Sequence, residues 1–340
     1  MQIGNFDTSK KVFIIAELSA NHAGSLQIAK DTIYAAKVAG ADAVKLQTYT
    51  PEWMTIDCKK EDFIIKGGTL WDGKNLFELY KWAMTPLEWH EELFNYGRSL
   101  GLEVFSSPFS KEAVDFLEEF NPPAYKIASF EITDYELIDY AASKGKPMII
   151  STGVATMEDM QNAVDICKNR GVEVALLKCT SAYPAPRSEV NLKTIPAIKE
   201  IFKVEVGFSD HTLGISAPVA AVAMGARIIE KHFILDKSLN SPDKDFSLTP
   251  DEFKEMAKAV RETEEMIGEV SFKPKSGRQF SRSLYVVKDI KKGEVFTREH
   301  IRAIRPGYGL HPKYLPEILG KKACRDLKKG DRLRWEDIGE

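Results

Sequence analysis

Residues Val204–Phe233 read VEVGFSDHTLGISAPVAAVAMGARIIEKHF. Val204–Phe208 is a short strand-forming run that ends in Ser209-Asp210-His211. Ile215–Met224 is apolar and small, fit for a buried helix. Ala226–Ile229 is a second buried strand, ending in Glu230-Lys231-His232. Strand, helix and strand in succession make a βαβ unit, whose strands run parallel. The two polar clusters therefore leave neighbouring strands at one edge of a sheet. Two neutral imidazoles placed there, His211 and His232, can hold a divalent metal and leave most of its coordination sphere open. Two hydrogen-bonded histidines without a metal are the plain alternative.

Outward from this unit the same pattern repeats. Strands are expected at Val12–Ala16 (ending in Glu17), Ala43–Gln47, Leu102–Phe105, Tyr125–Ala128, Met148–Ile150 and Val174–Leu177. A helical pattern follows each. Ser25 caps one helix that runs to about Val38, Thr85-Pro86 opens another after a long insertion carrying Trp53 and Trp71, and Thr249-Pro250 opens the last, which runs to about Ile267. Eight strand–helix units predict an α/β fold, a (β/α)8 TIM barrel over residues 1–267, with its active face at the C-terminal strand ends. Composition turns polar over 268–281, a predicted linker. Residues 282–340 form a separate small β-rich module, in which Lys288–Phe296 is echoed by Arg325–Leu333. A module of that size gains stability by docking on something larger, and its basic turns read as solvated surface.

The chain has 340 residues, with 47 basic and 50 acidic side chains and a formal charge of −3, a balance that offers nothing to nucleic acid or a membrane surface. No stretch is apolar enough to span a bilayer, and the N-terminus lacks the apolar core of a signal peptide. Cys58, Cys167, Cys179 and Cys324 have neither zinc-knuckle nor disulfide-framework spacing. A soluble, reduced, cytoplasmic protein is expected.

The strand ends carry three kinds of group. Lys45, Lys126 and Lys178, with the hydroxyls of Ser107, Ser129, Ser151 and Ser209, can hold a compact anion bearing phosphate and carboxylate. His211 and His232 can hold a Lewis-acid metal on a carbonyl oxygen. Glu17 and Glu131 can move protons or orient water. Together they point to carbon–carbon bond formation between an enol phosphate and an aldehyde. A metal-independent Schiff-base lyase working through Lys126 or Lys178 is the chemical alternative. A non-catalytic sugar-binding protein is another, but one with no use for paired histidines.

On its motifs the chain resembles the sialic acid synthase family over nearly its whole length. They are AELSANHAG at 16–24, KLQTYTP at 45–51, SSPF at 106–109, YKIASFE at 125–131 and STG at 151–153. KCTSAYP at 178–184, GFSDHT at 207–212, EKHF at 230–233 and RPGYG at 305–309 complete the set. The terminal module is similar to the antifreeze-like (SAF) domain of these enzymes. DFIIKGG at 62–68 and TPLEWH at 85–90 resemble the bacterial pseudaminic acid branch of the family. Sialic acid synthases usually carry glycine where this chain has Phe130. An aromatic side chain there argues against N-acetylmannosamine and for a 6-deoxy sugar.

The resemblance implies a transferase that condenses phosphoenolpyruvate with an open-chain amino-sugar aldose, 2,4-diacetamido-2,4,6-trideoxy-altrose, giving pseudaminic acid and phosphate. Sialic and legionaminic acid synthesis are the alternatives within the family. By resemblance, His211 and His232 hold a divalent metal, Mn²⁺, Mg²⁺ or Co²⁺. Lys45, Gln47, Ser107, Lys126, Ser129, Phe130, Ser151, Ser181, Tyr183 and Ser209 surround the substrates, and Glu17, Glu131 and Asp243 supply carboxylates. Arg305 would reach the sugar's N-acetyl group from the SAF domain of a partner copy, in a domain-swapped homodimer.

Overall fold

The protein is described by a computed structural model that covers Met1–Glu340 apart from Thr69 and Lys275. Eight parallel strands close into a barrel: β1 (Phe13–Glu17), β2 (Ala43–Thr48), β3 (Glu103–Pro108), β4 (Tyr125–Ile127), β5 (Met148–Ser151), β6 (Val174–Cys179), β7 (Glu205–Asp210) and β8 (Ile228–His232). Each pairs with its sequence neighbour, and β8 closes on β1 with Ile228 opposite Phe13 and His232 opposite Glu17. The barrel read from the sequence is the one observed.

Strands β7 and β8 run further than their apolar runs. Ser209 pairs with Glu230 and Asp210 with Lys231, so the polar clusters lie inside the ladder rather than in loops behind it. The continuation is possible because these polar side chains satisfy one another. Side chains alternate across a strand. Ser209, Glu230 and His232 therefore face a central cavity, whereas Asp210 and Lys231 do not line it. Lys231 Nζ stands 2.6 Å from Asp210 Oδ2 with both side chains fully buried. It also donates to the Thr212 carbonyl.

Helix ends follow the capping chemistry. Ser25 accepts from the Ile28 amide ahead of Leu26–Val38, and Thr249 with Glu252 forms a reciprocal capping box ahead of Pro250–Ile267. The latter helix buries Phe253, Met256 and Val260 against the barrel, each worth about 1.5–3 kcal/mol of removal from water. Thr85-Pro86 opens a 3₁₀ turn, Leu87–Trp89, and only then the helix His90–Ser99. The insertion before it contains a helix the sequence reading does not anticipate, Leu76–Ala83, capped by Asn75. Also unanticipated is an N-terminal hairpin, Gln2–Ile3 with Phe6–Asp7. It carries Ile3 into a cluster with Phe13, Phe105, Ile149, Leu177 and Ile228, which forms an apolar floor distinct from the polar strand ends.

The chain divides into two compact units, Met1–Gly268 and Glu269–Glu340. The second takes in most of the stretch read as linker, where the Gln279 carbonyl accepts from the Gly307 amide. Its regular strands are few: β9 (Ser283–Val286) pairs antiparallel with β10 (Ile301–Ile304), and isolated bridges do the rest. The internal repeat is realised as pseudo-symmetric exchange. Asp289 accepts from the Lys329 amide (2.8 Å) and Lys328 Nζ (2.9 Å), and Asp326 accepts from the Lys292 amide (2.9 Å) and Lys291 Nζ (2.9 Å). The basic turns are thus exposed but tied to each other's repeat. Among the described residues no helix is long and apolar enough to cross a membrane.

Barrel closure leaves no room at Gly207 of β7. A Cβ there would lie 2.5 Å from both the Ile228 carbonyl oxygen and Leu177 Cδ2. Overpacking of this kind costs about 1–3 kcal/mol. Gly207→Ala is expected to lower the denaturation midpoint accordingly, and an unchanged midpoint would show slack between β6, β7 and β8.

Candidate active site

A cavity of about 470 Å³ opens at the C-terminal strand ends. It is lined by Lys45, Gln47, Lys126, Ser129, Phe130, Glu131, Ser151, Ser181, Tyr183, Ser209, His211, His232 and Asp243, all anticipated from the sequence. Glu17 and Ser107 lie directly beneath and contact Lys45. Two anticipated residues are not part of this group. Lys178 turns back onto the Cys179 carbonyl and Thr180 Oγ1, because its position in β6 alternates out of the cavity. Arg305 belongs to the second unit, where Ser283 accepts from Gly309 and donates to the Pro306 carbonyl, fixing the RPGYG turn.

The centre of the site is a buried quartet of two lysines and two carboxylates. Lys45 Nζ lies 2.7 Å from Glu17 Oε2 and 3.8 Å from Glu230 Oε2. Lys126 Nζ lies 3.5 Å from Glu230 Oε1 and donates to Ser151 Oγ at 2.8 Å. Ser209 donates to Glu230 Oε1 (3.0 Å), Gln47 to Glu17 Oε1 (3.0 Å), and Lys45 to Ser107 Oγ (3.2 Å). Glu17 Oε2 and Glu230 Oε2 have no directed hydrogen bond, so these contacts are charge pairing off the lone-pair axis. The lysines therefore have donor capacity left for an incoming anion.

Burial sets the protonation states. It raises Glu17 to about 7, with Lys45 opposing and Glu230 adding repulsion. At Glu230 burial acts the same way, but Lys126 and Lys45 outweigh it and hold the carboxyl below its usual range. Burial lowers Lys126, while at Lys45 the two carboxylates overcome burial and raise it. Glu131 stands apart. Burial lifts it to about 7, and its Oε2 has no hydrogen-bond partner.

The imidazole rings of His211 and His232 lie 5.3 Å apart. Nδ1 of His211 is 3.1 Å from the Thr180 carbonyl, which selects the tautomer with its proton there and a lone pair on Nε2. His232 Nδ1 is buried without a hydrogen-bond partner, 3.9 Å from Asp243 Oδ2. Burial and the neighbouring cations keep His232 neutral. Among the described residues no group of three or more His, Cys, Asp or Glu side chains is arranged around a point. An orphaned imidazole nitrogen, a second imidazole and an outlying carboxylate fit a divalent ion that keeps open oxygen positions, and not a closed four-ligand zinc site.

Glu230, the network around Asp243, and Cys179 escaped the sequence reading. Glu230 stands two residues before His232 on one strand, and that alternation alone would have put both on the cavity face. Ser19 donates to Asp243 Oδ2 at 2.5 Å from a left-handed backbone position, φ 45°. Asn21, Ser241 and Ser247 continue this buried network, which holds Asp243 at the cavity wall. Cys179 lines the cavity 3.7 Å from His211 Nδ1, which brings its thiol to about 7 against the effect of burial.

Residues 32–272 match the NeuB family and residues 281–339 a SAF domain. The chain belongs to the NeuB family. This NeuB-family chain is 55% identical to a pseudaminic acid synthase of Campylobacter jejuni, over 99% of its length and 100% of that protein. It is 50% identical to the pseudaminic acid synthase of Helicobacter pylori, covering 96% of this chain and 97% of that one. Among solved structures, the Bacillus subtilis spore coat polysaccharide biosynthesis protein SpsE superposes with a TM-score of 0.68 at 35% identity, covering 100% and 99% of the two chains. The family and the SAF domain expected from the motifs are borne out.

In this NeuB-family site Glu131 titrates near 7 when folded against an ordinary value of 4.5. A folded pKa above the unfolded one means that the native state holds the proton longer, so stability falls as pH rises from about 4.5 to 7 and is flat above. The difference is worth about 3 kcal/mol. Replacing Glu131 with Gln removes this loss. The stability of Glu131→Gln relative to the unaltered protein should therefore rise between pH 5 and pH 8 by up to that amount. Thermal unfolding at both pH values checks it, and a constant difference would mean an ordinary carboxyl.

Proposed function

We infer that this chain is a pseudaminic acid synthase, condensing phosphoenolpyruvate with 2,4-diacetamido-2,4,6-trideoxy-altrose to give pseudaminic acid and phosphate. The observation that carries the reading is the joining, in one cavity, of a lysine–serine floor with a histidine pair, in a chain 50–55% identical to pseudaminic acid synthases over nearly its full length. Legionaminic and sialic acid synthases are more distant homologues. The enzyme is a transferase, and a cytoplasmic location goes with its use of phosphoenolpyruvate.

Lys45 and Lys126 receive the phosphate and carboxylate of phosphoenolpyruvate, assisted by Ser107, Ser151 and Ser209. Gln47, Ser129 and Ser181 add neutral donors nearby. His211 and His232 would hold a divalent ion, Mn²⁺ or Mg²⁺, which would supply a Lewis acid for the aldehyde oxygen. The enol carbon attacks the aldehyde carbon, using the alkene pair to form the new bond and leaving positive charge at C2. The buried carboxylates of Glu17 and Glu230 face that developing charge in a water-poor site, where such stabilisation is strongest. Water adds at C2, and the tetrahedral centre expels phosphate by cleavage of its bond from carbon to oxygen. The two protons of that water end on the new hydroxyl and on phosphate. Glu17 and Glu131, both poised near 7, are the groups that can carry them. Lys126 has the lowered pKa a Schiff base requires, but its Nζ is already engaged by Glu230 and Ser151.

The assay that tests this supplies phosphoenolpyruvate with each of three sugars: the trideoxy-altrose, N-acetylmannosamine and the 2,4-diacetamido-mannose. Efficient release of phosphate with a pseudaminic acid product is expected only for the first. It should stop on chelation and return with Mn²⁺ or Mg²⁺. Preference for N-acetylmannosamine, or full activity after chelation, overturns the reading.

The functional unit is further proposed to be a homodimer in which Arg305 of one copy serves the barrel of the other. This rests on the SAF-domain match and on guanidinium as a donor to an amide carbonyl. Arg305→Ala and His232→Gln are each expected to abolish activity. Mixed dimers of the two should recover a substantial fraction of it, since one of their two sites is intact. Inactive mixed dimers would place Arg305 in the service of its own barrel.

A further inference from the structure

The cavity has two chemically distinct sides. One carries the ion quartet, the histidines and Asp243. The other is largely apolar, and much of it comes from the insertion between β2 and the helix His90–Ser99. Met54, Ile65, Trp71, Leu76, Leu79 and Ala83 line the cavity there. Leu76, Leu79, Tyr80 and Ala83 recur at helical spacing and present one face of the helix Leu76–Ala83. This wall is built rather than incidental. Ile64 bridges to Asn75, the Ile65 amide donates to the Lys74 carbonyl (2.9 Å), and Gly73 donates back to Ile65 (2.9 Å). Asn75 caps the helix and also donates to the Cys58 carbonyl at 2.7 Å. Edge-on contacts of Tyr49 with Tyr80 and Phe109 join the wall to the ends of β2 and β3.

A wall of this kind has no role toward phosphoenolpyruvate, whose charges belong to the lysines. An open-chain sugar held by its aldehyde at the histidine pair must carry its far end away from them. That end meets a surface made mostly of apolar side chains. A methyl group gains against such side chains, whereas a hydroxyl exchanges water for mostly apolar contact. Resting on the proposed function, we propose that the insertion 51–84 is the sugar-specificity element, its apolar face receiving the C6 methyl group of the 6-deoxy substrate. Phe130, taken from the sequence as that contact, is 58% exposed on the 3₁₀ turn Ser129–Glu131. It lines the cavity from an exposed position, and discrimination falls mainly to the insertion.

The test compares two sugars that differ only at C6: the trideoxy-altrose and its 6-hydroxy counterpart. Leu76→Gln keeps side-chain length and helix propensity at a half-buried position. The preference for the 6-deoxy sugar, as a ratio of kcat/KM values, should fall about tenfold or more, the scale of one apolar contact in a pocket. KM for phosphoenolpyruvate should stay within about twofold, and Leu76→Met should keep the preference. Met54→Gln is the second variant should Leu76→Gln fold poorly. An unchanged ratio, or equal loss with both sugars, overturns the proposal while leaving the synthase assignment standing. An unaltered protein that refuses the trideoxy sugar overturns the synthase assignment, and this proposal with it.

Discussion

Four ionisable groups without bulk water, Lys45, Glu17, Glu230 and Lys126, are what the rest of the barrel is arranged to hold. Removing such charges from water costs several kcal/mol each, and only close pairing offsets it. Pairing requires that β1, β2, β4 and β8 present these residues at one height. The closed ladder ensures this by setting Glu17 opposite both Lys45 and His232, and Ser209 opposite Glu230. Loss of any one member would leave an uncompensated buried charge, a much larger penalty than loss of a surface pair. An incoming anion meets a site whose cations are already in place.

The layering of the barrel interior follows from that requirement. Ionic groups at the strand ends need a rigid support that admits no water from below, and the apolar floor of Ile3, Phe13, Phe105 and Ile228 provides it. Behind the histidine strands, the buried pair of Lys231 and Asp210 plays a corresponding part. Because side chains alternate, the residues between Ser209 and His211 and between Glu230 and His232 must point out of the cavity. Their mutual attraction binds β7 to β8 from the opposite face. The two imidazoles are thus positioned by an ion pair that never touches substrate.

Much of this was legible from local pattern. Apolar runs bounded by polar clusters located every strand of the barrel, and Ser25, Thr249 and Pro250 marked helix starts because capping is a short-range interaction. What could not be read depended on contacts distant in sequence. The ends of β7 and β8 were set short, since Glu230 and Lys231 look like loop residues until the partners across the ladder are known. The same blindness hid Glu230 as a member of the site and mistook Lys178 for one. The hairpin at Gln2–Asp7 is too short to show a period. The helix Leu76–Ala83 is a different kind of miss: its spacing and its Asn75 cap are local, but the insertion around Trp53 and Trp71 reads as a single stretch. In the second unit the repeat was visible, whereas the exchange between Asp289 and Asp326 appears only when the repeats face each other.

The apolar wall and the carboxylates are not independent. Glu131 and Tyr80 line the same cavity, and the charge of Glu131 is felt at the Tyr80 hydroxyl. Burial is the main cause of the raised Glu131 pKa. Residues of the insertion that exclude water from one side of the cavity therefore contribute to holding that carboxyl near neutrality. A wall made polar enough to take a 6-hydroxyl would bring water toward Glu131 and shift it toward the ionised state. The polarity of the wall and the protonation of Glu131 are coupled through hydration of a single cavity. An insertion that varies to admit another sugar must then preserve dryness next to Glu131, which favours exchanging one apolar side chain for another over introducing hydrogen-bonding groups.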